Sequence, residues 1–123
     1  MNDAKRRRAW RWGHIAEAMC AAHLVCRGYR ILARRLRSPV GEIDLLARRG
    51  RTLSIIEVKA RQDLATAAEA ITDRQRARLI RAAEWLIAGR PELTGLTIRF
   101  DAMLVRPWRM PQHIIDAWRA DPY

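Results

Sequence analysis

The chain has 123 residues, 50% of them hydrophobic, which fits one domain with a modest core and excludes a disordered chain. Lysine and arginine number 24 against 13 acids, a formal net charge of +11, which points to a polyanionic partner: nucleic acid first, an anionic membrane surface second. Two cysteines give no disulfide framework, and no uninterrupted apolar run reaches membrane-spanning length.

Residues 1–9 read as a basic, flexible tail. The stretch "AKRRRAWRWGHIAEAMCAAHLVC" imitates a signal peptide, with basic residues ahead of an Ala-rich run. Glu17 and His23 interrupt that run, so it reads as an ordinary helix in a cytoplasmic protein. The helix is expected from about Trp10 to Cys26, with Ile15, Met19, Ala22 and Cys26 at helical spacing. Cys20, His23 and Cys26 on one helix cannot close a zinc tetrahedron. The two cysteines read instead as buried thiols in a reducing compartment. Gly28 caps the helix end. "YRILARRLR" alternates apolar and basic residues, as a strand does with one face toward solvent or a partner. Pro39 and Gly41 then mark a turn.

"GEIDLLARRGRTLSIIEVKAR" reads as a hairpin. A two-residue loop centred on Arg49–Gly50 faces Asp44 to Ile55 and Glu42 to Glu57. Side chains alternate with period two, so Glu42, Asp44, Glu57 and Lys59 share one face. Ile43, Leu45, Ile56 and Val58 take the other. Asp44 and Glu57 become diagonal neighbours with Cα atoms roughly 7–8 Å apart. Carboxylates at that spacing can bend toward one divalent cation. A hard ion such as Mg²⁺ takes oxygen ligands at about 2.0–2.1 Å and keeps several waters. Without a cation, carboxylates crowded in a low-dielectric site repel, and one tends to stay protonated.

Lys59 is a second clue. Only Lys5 and Lys59 are lysines among the 24 basic residues. A compact ammonium suits a tight site beside a carboxylate and a phosphate oxygen. A plain Glu–Lys arrangement on a strand is the competing reading. Glu17 is the only acid between Trp10 and Arg27. It is either a solvent-facing helix residue or a carboxylate delivered to the edge of the site.

"QDLATAAEAITD" reads as a loop with a short helical piece. Thr72 or Asp73 caps a helix running to about Ala88, whose face is Leu79, Ala82, Ala83 and Leu86. Gly89 and Pro91 stop it. "LTIRFDAMLV" is a further strand, and "PQHIIDAWRA" reads as a short terminal helix. The expected order is α-β-β-β-α-β in one α/β domain over residues 10–120, with no repeat or internal boundary.

Glu17 in "GHIAEAMCAAHL", then "GYRILARRLR", "GEIDLLA", "IIEVKAR", "RLIRAAEWL" and "IRFDAML", resemble in order and spacing the YraN-like family of small bacterial proteins. The resemblance runs from about residue 12 to 118. That family is similar to members of the PD-(D/E)XK, restriction-endonuclease-like superfamily. The resemblance implies a mixed central sheet flanked by helices, with the acidic site on adjacent strands. It places Asp44, Glu57 and Lys59 at the motif's aspartate, acidic and lysine positions. Glu17 matches the first-helix acid of resolvase-like members. It also implies phosphodiester cleavage with Mg²⁺ or Mn²⁺. The chain departs from the family pattern at Arg35, where Asn is frequent, and near Gln75, where Lys is frequent. Arg99 and Asp101 match the pattern and read as a structural ion pair.

The resulting expectation is a metal-dependent endonuclease acting on nucleic acid, DNA ahead of RNA, with branched or structured DNA as a candidate. Asp44 and Glu57 would hold the cation, with the Val58 carbonyl and Glu17 through water. Lys59 would steady the attacking water or the charge developing on phosphorus. Arg30, Arg34 and Arg37 would contact phosphates, and Trp10 and Trp12 would either stack on bases or pack in the core. Two rivals stand beside it: a non-catalytic nucleic-acid-binding module on the same fold, and an adaptor whose basic face docks an acidic protein. "RPWRMPQHIIDAW" is also open to a homodimer contact.

Overall fold

The computed structural model describes residues 3–61 and 71–120, apart from the side chains of 8–10. The order is α1 (Asp3–Cys26), β1 (Arg30–Ser38), β2 (Gly41–Arg49), β3 (Thr52–Ala60), α2 (Asp73–Gly89), a 3-10 turn (Pro91–Leu93), β4 (Thr97–Val105) and β5 (Gln112–Trp118). The five strands lie in the sheet in chain order. All neighbours are antiparallel except β3 and β4, whose parallel pairing requires the crossover that contains α2. The α/β class and the mixed sheet flanked by helices are as the sequence predicts.

Each helix covers one face. Leu79, Ala82, Ala83 and Leu86 of α2 bury against Ile43, Leu46, Leu53, Ile55 and Leu104. Those four are the face read from the helical spacing. Thr72 caps α2 through a reciprocal box: its hydroxyl accepts the Gln75 N–H, and the Gln75 side chain accepts the Thr72 N–H. Ala16, Cys20 and Leu24 of α1 pack on the opposite face, over Leu45, Ala47, Ile56 and Met103.

Several expectations change. Helix α1 begins at Asp3, so the basic segment from 3 to 9 continues the helix instead of forming a tail. The buried stripe of α1 is Ala16–Cys20–Leu24; Ile15 is 50% exposed and Cys26 is exposed. Small residues at 16 and 20 let the helix approach the sheet closely, and this turns the bulkier Ile15 outward. Only one of the two thiols is therefore buried. The expected terminal helix is strand β5. Its partner β4 would otherwise present an open edge, and Ile114 and Trp118 bury on the α2 side by pairing with it. The segment 62–70, expected to be a loop with a helical piece, lies outside the described residues.

Strand β5 is pinned by a buried charge. Asp101 of β4 is fully buried. It accepts from the Ser54 hydroxyl, the Arg99 guanidinium and the Asp116 N–H, and His113 Nε2 lies 2.8 Å from its Oδ2. Asp116 has a left-handed backbone (φ 56°) at an irregularity in the β4–β5 pairing, and this turns its N–H toward Asp101. Burial alone would raise the Asp101 pKa, but the bonds from His113, Arg99, Ser54 and Asp116 hold it well below the usual carboxylate range. Arg99 also bonds the Tyr29 hydroxyl, tying β4 to the end of α1. The ion pair read from the sequence is thus a structural knot.

Because the folded-state pKa of Asp101 is depressed, its contribution is present above the unfolded carboxylate value near ~4 and is lost as pH falls through the lower folded value. Asp101→Ala should cost about 3–5 kcal/mol in urea denaturation at pH 7, as expected when one partner of a buried pair is removed. The difference from wild type should shrink steadily below about pH 4.

Candidate metal and phosphate site

Strands β2 and β3 pair from Arg49–Thr52 to Leu45–Ile56 around a turn centred on Gly50–Arg51. That is one residue later than the loop expected from sequence. The shift keeps the parity, so Asp44 and Glu57 still share a side of the hairpin. It also places them directly opposite when the register is continued, where the sequence reading made them diagonal. Backbone pairing stops at Leu45–Ile56, and the next link between the strands is the Val58 N–H donating to Asp44 Oδ2 at 2.9 Å. A side chain replaces the ladder at that point.

The replacement breaks the simple alternation. Leu45 and Ile56 belong to the core beneath α1, with Val58 packed against it, whereas Ile43 belongs to the core beneath α2. The expectation that all four share a face fails at Ile43. On the other side of β2, Arg35 lies across from Asp44, between the Arg34–Leu45 and Leu36–Ile43 pairs, and has a left-handed backbone (φ 52°). Both neighbours of β2 are thus irregular at the height of Asp44.

Asp44 lies between two cavities. One, of about 340 Å³, is lined by Trp12, Glu17, Asp44, Lys59 and Arg61 among others. The second, of about 190 Å³, is lined by Glu42, Asp44, Glu57, Gln75, Arg78 and Leu79. The site residues are therefore neighbours around Asp44, but they do not all open into one cavity. Lys59 Nζ is 3.3 Å from Glu57 Oε1, and both side chains are largely buried. Glu57 and Asp44 line the second cavity together.

Burial and the charge of Glu57 push the Asp44 pKa up to about 7, against the Val58 N–H, which favours the ionised form. Burial raises the Glu57 pKa as well, opposed chiefly by Lys59. Both acids are therefore shifted toward the protonated form, the direction expected of crowded carboxylates. Cys20, beneath the same strands, is pushed up to about 12 by burial and by Asp44 and Glu17, so its thiol stays protonated.

Glu17 is buried and reaches the Asp44 cavity, but it is already engaged: Arg35 Nε lies 2.7 Å from both of its carboxylate oxygens. The solvent-facing alternative for Glu17 is therefore excluded. Any role toward a cation would be exerted from within this ion pair. Among the described residues, no three His, Cys, Asp or Glu side chains converge on one point. Arg30, Arg34 and Arg37 are exposed on the edge strand β1. Trp12 is partly buried against the α1 core and also lines the cavity, so packing and stacking readings both apply to it. The side chain of Trp10 lies outside the described residues.

Sequence reasoning noted Arg35 and Gln75 only as departures from the family pattern, and it gave Arg61 and Arg78 no place at the site. Arg61 directly follows the E-V-K-A motif and could have been found from it. Gln75 and Arg78 come from α2, and no local pattern reveals that their helix reaches the carboxylates. The departure near Gln75 therefore does fall at the acidic pair, and the departure at Arg35 decides what Glu17 bonds to.

Residues 16–105 match the model of the uncharacterised protein family UPF0102. A UPF0102 protein of Parvibaculum lavamentivorans (strain DS-1) is 48% identical over 118 residues, covering 96% of this chain and 89% of its own length. One from Rhodopseudomonas palustris (strain BisB18) is 51% identical over 115 residues, covering 93% and 84%. One from Paramagnetospirillum magneticum (strain AMB-1) is 47% identical over a 129-residue alignment, covering 98% and 100%. No helix of the described residues is long and apolar enough to cross a membrane.

The raised Asp44 pKa makes a metal-free prediction. The acid form is favoured in the fold, so stability is fully present below the unfolded value near ~4 and is lost as pH rises through about 7. Asp44→Asn can still accept the Val58 N–H but cannot ionise. In EDTA, its melting temperature should exceed that of wild type at pH 8.5, and the gap should narrow toward pH 4.5.

Proposed function

The chain belongs to the uncharacterised protein family UPF0102, and we propose that it is a divalent-metal-dependent nuclease of the PD-(D/E)XK type. The observation that carries this reading is the pairing of the partly buried Asp44 with the buried Glu57 around one cavity, with Lys59 Nζ 3.3 Å from Glu57. Two ionised acids crowded in a partly buried site repel unless a proton or a cation offsets their charge, and perturbed carboxylates in a cleft are a mark of functional sites.

The donor set fits Mg²⁺ or Mn²⁺. Hard cations of this size are commonly held by one or two carboxylates, with water and substrate phosphate completing the shell. Asp44, Glu57 and the Val58 carbonyl would hold the ion, with Glu17 behind them in its pair with Arg35. A bound ion would supply Lewis-acid polarisation of the phosphoryl oxygen and a water of lowered pKa.

The chain's own residues do the rest. Lys59 offers ammonium donors to charge developing on the phosphoryl group and opposes the burial that raises the Glu57 pKa. Arg61 lines the same cavity and adds positive charge where a phosphate would enter. Arg30, Arg34 and Arg37 on β1 grip the flanking backbone without reading sequence. Arg35 holds Glu17 in place, which makes it a positioning residue.

One observation favours a second reading. Three-carboxylate convergence is absent among the described residues, as it would be in a nucleic-acid-binding module that had lost its chemistry. The two readings differ in their metal requirement.

Branched, single-stranded and duplex DNA, and RNA, incubated with purified protein should be cut with Mg²⁺ or Mn²⁺ and left intact in EDTA. Asp44→Ala and Glu57→Ala should abolish cleavage, and Lys59→Ala should slow it by roughly 10²–10³-fold, the usual scale for removing one charge-stabilising donor. All three should bind nucleic acid with near-normal salt dependence. Clean wild-type protein that cuts nothing, or Asp44→Ala protein that cuts as fast as wild type, contradicts the nuclease reading.

A further inference from the structure

A cavity larger than either of those around Asp44 lies elsewhere. A groove of about 880 Å³ runs between α1 and the loop joining β4 to β5. Trp12, Met19 and His23 line its helix side; Trp108, Arg109 and Met110 line its loop side. Trp108 is fully exposed and Met110 is 74% exposed. Trp108 also has a left-handed backbone (φ 59°), a conformation unfavourable for a bulky residue. A strained loop that holds an indole entirely in water calls for something to cover it.

Two features decide what covers it. Trp12 lines both this groove and the cavity containing Asp44, Glu17 and Lys59, so the two are neighbours on either side of one indole. Positive charge is at hand: Arg109 lines the groove, Arg106 precedes the loop in the chain, the exposed Arg11 precedes Trp12, and the net charge is +11. An acidic protein would find the charge but would have no use for flat apolar walls beside a phosphate site. An unpaired nucleotide matches both, with its base on the apolar walls and its phosphates along the arginines.

We propose that this groove is a base-stacking subsite that receives one or more unpaired nucleobases beside the scissile phosphate, with Trp108 as the stacking platform. This inference rests on the nuclease reading and narrows it to nucleic acid containing unpaired bases: single strands, flaps or frayed junctions. Stacking on aromatic side chains is indifferent to base identity, so the subsite selects for exposure of a base and not for sequence.

The test compares binding to a single-stranded 15-mer of dT with binding to a 15-mer of the same charge carrying abasic sites throughout, in EDTA, by fluorescence anisotropy. Wild type should prefer the oligonucleotide with bases, and Trp108→Ala should reduce that preference by about 5- to 100-fold while leaving the abasic affinity unchanged. Trp108→Phe should restore most of it. Alkylation of Cys26, which lines the groove while Cys20 is buried, provides a check without substitution and should also reduce the preference. Equal affinity for both oligonucleotides in wild type overturns the proposal. So does a Trp108→Ala protein with an unchanged preference, including one that merely shifts from dimer to monomer in sedimentation and so marks the groove as a contact between copies. Because no metal is present, a protein that shows the Trp108-dependent preference yet never cleaves upholds the subsite and refutes the nuclease reading alone.

Discussion

The site depends on a single hydrogen bond in an unusual place. Where β2 and β3 should exchange their next backbone bond, the Val58 N–H donates to the Asp44 carboxylate. The substitution satisfies a buried amide that the diverging strands would otherwise leave without a partner. It also carries a carboxyl group into the gap, at the junction of two cavities, with Glu57 opposite. The irregular backbone of Arg35 on the adjacent strand lies at the same level, and the Arg35 side chain reaches across to Glu17. Strand divergence, the acidic pair and the held glutamate are one structural event.

The fully buried Asp101 and the partly buried Asp44 differ in how far their charge is satisfied. Asp101 receives bonds from Ser54, Arg99 and Asp116, with His113 at hydrogen-bonding distance, and its acidity is strengthened accordingly. Asp44 receives one backbone N–H and faces another acid, and its proton is held up to about 7. A fully satisfied buried charge fixes a fold, whereas an incompletely satisfied one has unused ligand capacity. The contrast also bears on the placement of Lys59: one ammonium beside Glu57 offsets part of the repulsion, and the proposed cation would offset the rest.

Much of the fold could be read from the chain. Period-two alternation located the hairpin, 3.6-residue spacing found the buried face of α2, and Thr72 announced its cap. The shared orientation of Asp44 and Glu57 survived a one-residue error in turn position because parity, not loop centre, decides the face. What stayed hidden was non-local. "PQHIIDAW" carries a helix-compatible pattern and becomes a strand because β4 offers an edge to pair with. The stripe of α1 lies one residue from the expected one because small residues at 16 and 20 favour close packing, a tertiary preference with no periodic signature. Arg35 capturing Glu17 and Gln75 approaching the acids depend on elements brought together only by the finished sheet. Trp108 was visible as a residue, but its exposure was not.

The central claim is that Asp44 and Glu57 together form a cation site. Calorimetric titration of metal-free protein with Mg²⁺ and Mn²⁺ at pH 8 measures this before any nucleic acid is chosen. A cation site predicts saturable binding to wild type that disappears in both Asp44→Ala and Glu57→Ala. No binding heat at saturating metal, or identical isotherms for wild type and Asp44→Ala, would contradict it.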